Sequence, residues 1–210
     1  VRDTVKVDLK NIDLSIRANK DLVNIIGLVK NNVTTNKLIE KVNLKNGLFL
    51  PKNNPGLLKL CVIERHKLSG NIGKGIVKGY GLKSGALAMT VAHDSHNLIC
   101  LGDNDEDMLL AIRKIKEIGG GIVLVSENEV LDFLRLEVGG LMSNESIDYV
   151  EEKLFNLEKL IRNLGVNEDI EDPFLQLAFL SLAVIPELKL TDLGLFDVSQ
   201  YKMISLEAGD

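Results

Sequence analysis

The chain has 210 residues, 45% hydrophobic and 26% charged, the balance of a soluble globular protein long enough to bury a sizeable core. Its formal net charge of −5 is interspersed along the chain with no Lys/Arg block, which disfavours nucleic-acid binding. No apolar run approaches the ~20 residues of a membrane span. Without Trp and with only 4% aromatics, the core must be Leu, Ile and Val, which suits an α/β fold with buried strands.

The start, Val1-Arg2-Asp3, has neither an initiator Met nor the charged-then-apolar layout of a signal peptide, and it reads as cut from a longer polypeptide. Residues 22–29 (LVNIIGLV) are an aliphatic, β-branched run, expected as a buried strand. Residues 33–44 alternate in part and predict a second strand. Asn46-Gly47 marks a turn, and residues 51–56 (PKNNPG) form the most loop-like stretch. Strand character resumes over 57–64 (LLKLCVIE). The glycine-rich stretch 70–85 predicts tight turns or close backbone approach. Two apolar runs, 86–92 and 98–101, flank a polar cluster and read as strand, polar turn, strand.

The acidic run 103–107 (DNDED) precedes an amphipathic segment, 108–118, and predicts a capped helix start ended by Gly119-Gly120-Gly121. Residues 122–125 and 130–138 then pair as strands across a turn at 127–129. Residues 146–164 carry a helix-period apolar face, and Asp172-Pro173 opens a second helix over 174–183. The tail, 188–206, shows turn signals and one short apolar run. The expected fold is therefore a mixed α/β (α+β) domain: a mixed sheet with flanking helices, helical segments concentrated in the C-terminal third, and 1–210 as a single domain. Cys61 and Cys100 each sit in an apolar run and read as buried thiols of a cytosolic protein.

The sharpest cluster of chemistry-bearing residues is His93-Asp94-Ser95-His96-Asn97, which holds two of the three histidines. In a turn both imidazoles can converge, and an i, i+3 pair can bind a divalent metal, making His93 and His96 candidate ligands. The plainer reading is a hydrogen-bonded turn in which Asp94 and Asn97 satisfy backbone groups. Glu64-Arg65-His66, at the end of a predicted strand, can supply Glu64 or His66 to the same site, or form an ion-paired strand end. The glycine-rich stretch fails as a phosphate loop, because Lys83-Ser84 follows Leu82 rather than glycine. The acidic run lacks the Gly and terminal Glu of a calcium loop, so capping accounts for it better. There is no Ser-His-Asp or Cys-His nucleophile signature, no H-x-H and no zinc-binding C-x-x-C.

A set of phrases nevertheless runs in order along the chain. They are Glu64-Arg65-His66, Gly70-Asn71-Ile72-Gly73, the 81–86 stretch GLKSGA, and the 91–97 stretch VAHDSHN. The series continues with 102–108 (GDNDEDM), 118–121 (IGGG), 140–143 (GLMS), Asp172-Pro173-Phe174, 185–192 (IPELKLTD) and 194–197 (GLFD). In these phrases the chain resembles the C-terminal domain of the amidohydrolase-type adenine deaminases. The resemblance implies a parent hydrolase of purine salvage that converts adenine and water to hypoxanthine and ammonia. It implies manganese or iron held in an N-terminal (β/α)-barrel, whose H-x-H signature this chain lacks. No cofactor is expected in this chain itself, which alone is expected to be inactive. Partners implied are adenine, the barrel domain and further copies of the chain, with no nucleic acid and no membrane, in the cytoplasm. On that reading His93, Asp94, His96, Asn97, Glu64 and His66 face or brace the purine cleft. The alternatives are a non-catalytic assembly domain, or a small-ligand or metal-binding module centred on His93 and His96.

Overall fold

A computed structural model describes residues 4–209. The first half holds strands β1 (Ile16–Arg17), β2 (Leu22–Leu28), β3 (Thr35–Lys41), β4 (Leu44–Lys45), β5 (Leu48–Phe49), β6 (Leu57–Ile63), β7 (Ile72–Lys78), β8 (Ala86–Met89) and β9 (Leu98–Gly102). Helix α1 (Asp105–Ile118) comes next, then β10 (Gly121–Ser126), β11 (Glu129–Arg135), α2 (Ile147–Asn163) and α3 (Pro173–Ala178). A meander of β12 (Leu188–Thr191), β13 (Gly194–Asp197) and β14 (Lys202–Met203) ends the chain.

Eight strands form one sheet in the order β11-β10-β8-β9-β6-β7-β2-β3. Every neighbouring pair is antiparallel except β2 and β7, which are parallel, so the sheet is mixed as expected. Strand β6 shows why its sequence reads as a continuous apolar run: all seven residues are buried. Alternation sends Leu58, Leu60 and Val62 into one core, beneath α2, α3 and the β12–β13 hairpin. Cys61 and Ile63 point to the other, beneath α1 and the segment carrying Val5, Val7 and Leu14. Each such Leu, Ile or Val contributes roughly 1.5–3 kcal/mol when fully buried. Cys61 and Cys100 are free, buried and opposite each other across β6 and β9. Burial, with the neighbouring Cys61, pushes the Cys100 thiol well up, so it stays protonated.

Local chemistry sets the element ends. The Asn104 side chain accepts the Asp107 N–H at the start of α1, and Gly119 ends that helix at φ 78, where a Cβ would be penalised. Ser146 caps α2 by accepting the Tyr149 N–H, and Asp172 caps α3 ahead of Pro173. The turn between β10 and β11 places Glu127 and Asn128 at φ 55 and 61, the backbone of a tight two-residue hairpin.

Two expectations change. The glycine-rich stretch is not turns throughout: residues 72–78 form the interior strand β7, and residues 70–71 and 79–85 are irregular. Its glycines serve close approach, since a Cβ on Gly73 would lie 1.8 Å from the Thr191 carbonyl oxygen of the C-terminal hairpin. The tail, read as turns, contributes three strands to the C-terminal third alongside α2 and α3. Its alternation is only four residues per strand, too short to separate from loop by pattern.

Candidate functional site

Strands β6 and β8 end on the same side of the sheet, so the loops that continue from them, 64–71 and 90–97, lie together. These loops carry every site residue expected from the sequence. Arg65, which was not among them, joins the two. Its side chain is 2% exposed and donates from Nε to the His96 carbonyl (2.5 Å), and from its two terminal nitrogens to the carbonyls of Thr4 (2.6 Å) and Gly139 (3.0 Å). A guanidinium offers five donors in a fixed fork, which is why one side chain can tie three loops. Burial lowers its pKa, with no carboxylate among these partners to oppose the effect.

Glu64 organises its own loop, accepting the backbone N–H groups of His66 (2.5 Å), Lys67 (2.8 Å) and Ser69 (3.0 Å). Desolvation opposes its ionisation, but these bonds prevail and hold the carboxyl down at about 2. His66 reaches across from the exposed side, its Nε2 2.8 Å from the Ser95 carbonyl, and so buttresses the neighbouring turn.

Within the 90–97 loop, His93 is pinned through its backbone: its N–H donates to Ala178 (3.0 Å) and its carbonyl accepts from Ser181 Oγ (2.8 Å). Its ring packs at 4.8 Å on Phe179 and at 5.5 Å edge-on to His96. Asp94 and Ser95 are exposed. His96 sits at φ 48, in the left-handed region, its backbone N–H returned to the Ala92 carbonyl (2.6 Å). Desolvation, then the nearby His93 and Arg65, depresses its pKa and favours the neutral ring at pH 7. Asn97 is buried, and its amide donates to Asp192 Oδ1 (3.2 Å) while Asn71 donates to Oδ2 of the same carboxylate (3.1 Å). Among the described residues, His96 Nδ1 and Asn97 Oδ1 are buried atoms with no hydrogen-bond partner.

Sequence reasoning missed Arg65, Asn71, Asp192, Phe179 and Ser181 as parts of this assembly. No spacing signal links Asn97 to Asp192, which are 95 residues apart and meet only through the fold. As a metal centre the arrangement is poor. Among the described residues no group of three or more His, Cys, Asp or Glu side chains could hold a metal ion. His93 and His96 offer imidazoles packed edge-to-face, without a third ligand, so no chemistry is routed through a metal here.

Beside the turn, a groove of about 820 Å³ runs from His93 between α2 and α3. Its floor is apolar, with Met89 and Val91 at the end of β8 and Ile122 from β10. Two features therefore adjoin: a polar turn with two buried polar atoms unpaired, and an apolar groove.

Residues 32–202 match the model of the adenine deaminase C-terminal domain. The chain belongs to the adenine deaminase C-terminal domain family. It is 48% identical over 200 residues to an adenine deaminase of Clostridium acetobutylicum, covering 95% of this chain and 35% of that protein. An adenine deaminase 2 of Carboxydothermus hydrogenoformans is 46% identical, covering 97% of this chain and 36% of its own length. An adenine deaminase of Listeria welshimeri is 48% identical over 95% of this chain and 34% of its own. The chain thus spans about a third of the length of these relatives, and membership extends across both loops of the site. No helix among the described residues is long and apolar enough to cross a membrane.

Proposed function

We propose that this chain is the C-terminal domain of a polypeptide that hydrolyses adenine to hypoxanthine and ammonia, acting within it as one folded unit, 1–210. The observation that carries the reading is the family match, which spans both loops of the site. The manganese or iron centre belongs to the part of the polypeptide outside this chain. That part is an N-terminal barrel, on which this domain packs in a cytoplasmic homo-oligomer.

The role of the 93–97 turn on this reading is to close one wall of the purine cleft. His96 Nδ1 and the Asn97 side-chain carbonyl, buried and unpaired, are the atoms that contact with a ligand or the barrel would have to satisfy. Arg65 and His66 act behind them as positioning residues, fixing the turn through its backbone, while Glu64 holds the loop that carries both. A purine presents ring nitrogens and an exocyclic amine, groups that a neutral imidazole nitrogen and an amide oxygen can pair with.

Turnover of adenine, read as hypoxanthine formation, tests the assignment on the 210-residue chain and on the complete polypeptide side by side. Deamination by the complete polypeptide alone is the expected result. Deamination by the 210-residue chain places the reacting groups here and overturns it.

A further inference from the structure

The groove beside His93 has a composition that the deamination reading does not use. One wall is a stripe of α2: Ile147, Val150, Leu154 and Phe155 project at helical spacing, and Glu151 and Glu158 flank them. From Ile147 to Glu158 that stripe runs about 16 Å at ~1.5 Å per residue. The opposite wall is Phe174 and Leu175 of α3. Large apolar side chains stand in solvent along both walls: Ile147 is 82% exposed, Phe155 60% and Leu175 46%. An isolated exposed Leu means little, whereas an aligned set bordering an apolar floor marks a surface built to be covered.

The rim has one sign of charge. Glu151, Glu158, Glu171 and Asp172 line it, and no lysine or arginine is among the described residues that do. Arg162 answers Glu158 at 3.1 Å, and Lys159 lies over the Phe155 ring at 5.6 Å. Glu151 and Glu171 remain exposed carboxylates on opposite walls. A small organic ligand is normally enclosed over most of its surface, which this open trough between exposed side chains does not do. A helix lying lengthwise fits it better, its apolar stripe on the floor and its flanks between the carboxylates.

We infer that the α2–α3 groove is a docking site for an amphipathic helix whose apolar face is bordered by lysine or arginine. This goes beyond the deamination reading and does not rest on it. The walls differ from the 93–97 turn in composition, and the groove touches that turn only at His93.

The probe is a fluorescein-labelled 18-residue peptide of leucine and lysine, patterned as an amphipathic helix and titrated against the 210-residue chain by anisotropy. Saturable one-to-one binding is expected, weakened at least tenfold by Phe155→Asp and by the pair Glu151→Lys with Glu171→Lys. The same peptide with glutamate in place of lysine is expected to show no saturable binding. Phe155 is solvent-facing, so its variant should keep the parent melting temperature and report on the groove alone. The inference is overturned by an absence of saturable binding, or by equal affinity for the Phe155→Asp chain. It is also overturned if the chain self-associates and Phe155→Asp alone makes it monomeric, since the occupant is then a second copy.

Discussion

Two polar turns lie on the same sheet, each adjoining a buried strand, yet they differ in what their side chains have left to give. In the acidic run ahead of α1 four of the five side chains are spent, and only Glu106 stands in solvent. Asp103 accepts the Gly85 N–H (2.7 Å), Asn104 accepts that of Asp107, Asp105 pairs with the buried Lys59 (2.6 Å), and Asp107 accepts the Asn128 N–H (2.7 Å). The 93–97 turn is held just as firmly, but by its backbone, through Arg65, Ser181, His66 and Ala178. Its His96 and Asn97 side chains keep buried atoms without partners. A turn whose buried polar atoms are all paired is architecture. One that is rigid from behind and keeps orphaned buried polar atoms has reason to meet something, because each such atom costs roughly 1–3 kcal/mol unless a partner arrives.

The largest effect that sharpens this contrast is expected at Arg65. Arg65→Met leaves three carbonyls unpaired and should cost about 3 kcal/mol of stability, read from urea unfolding midpoints. Next is the capping side of the comparison: Asn104→Ala should cost about 1 kcal/mol, the usual value of an N-cap, in the same measurement. Asn97→Leu should change stability by about 0.5 kcal/mol or less, because losing its bond to Asp192 is offset by removing an unpaired carbonyl. A loss at Asn97 as large as that at Asn104 breaks the comparison.

The smallest effect is a pH dependence at His96. Its folded-state pKa lies below the ordinary 6.5, so below that pH the unfolded chain binds more protons than the folded one. Stability should therefore fall as pH drops through 6.5, and His96→Gln should flatten that part of the profile. Glu64 acts lower, stabilising the fold above 4.5 and losing its contribution as pH falls toward 2, so the two are separable.

Much of the fold is legible in the sequence. The buried strands at 22–28, 57–63 and 98–102 read as apolar runs, and the 103–107 run and Asp172-Pro173 as helix starts, because these signals are local. Strand β7 is hidden because glycine has no side chain to alternate. The reason for its glycines, a carbonyl of the hairpin pressed against Gly73, lies more than a hundred residues further along. The site divides the same way. His93, His96 and Asn97 stand out as a cluster, and the sheet places Glu64 and His66 beside them. Their hydrogen bonds, which the sequence does not give, are to backbone: Glu64 accepts from its own loop and His66 reaches the neighbouring turn. Arg65 between the two gives no signal, since a buried charge satisfied by backbone carbonyls leaves no pattern in sequence.

The central claim, that the 93–97 turn is unspent because it works at the purine cleft of the complete polypeptide, meets its most direct test in one assay. It is kcat/KM for adenine, measured with metal content, for the complete polypeptide carrying His93→Ala and His96→Ala. The expected result is a fall of at least tenfold in kcat/KM with metal content unchanged. An unchanged kcat/KM contradicts the claim and makes the turn as purely architectural as the acidic run before α1.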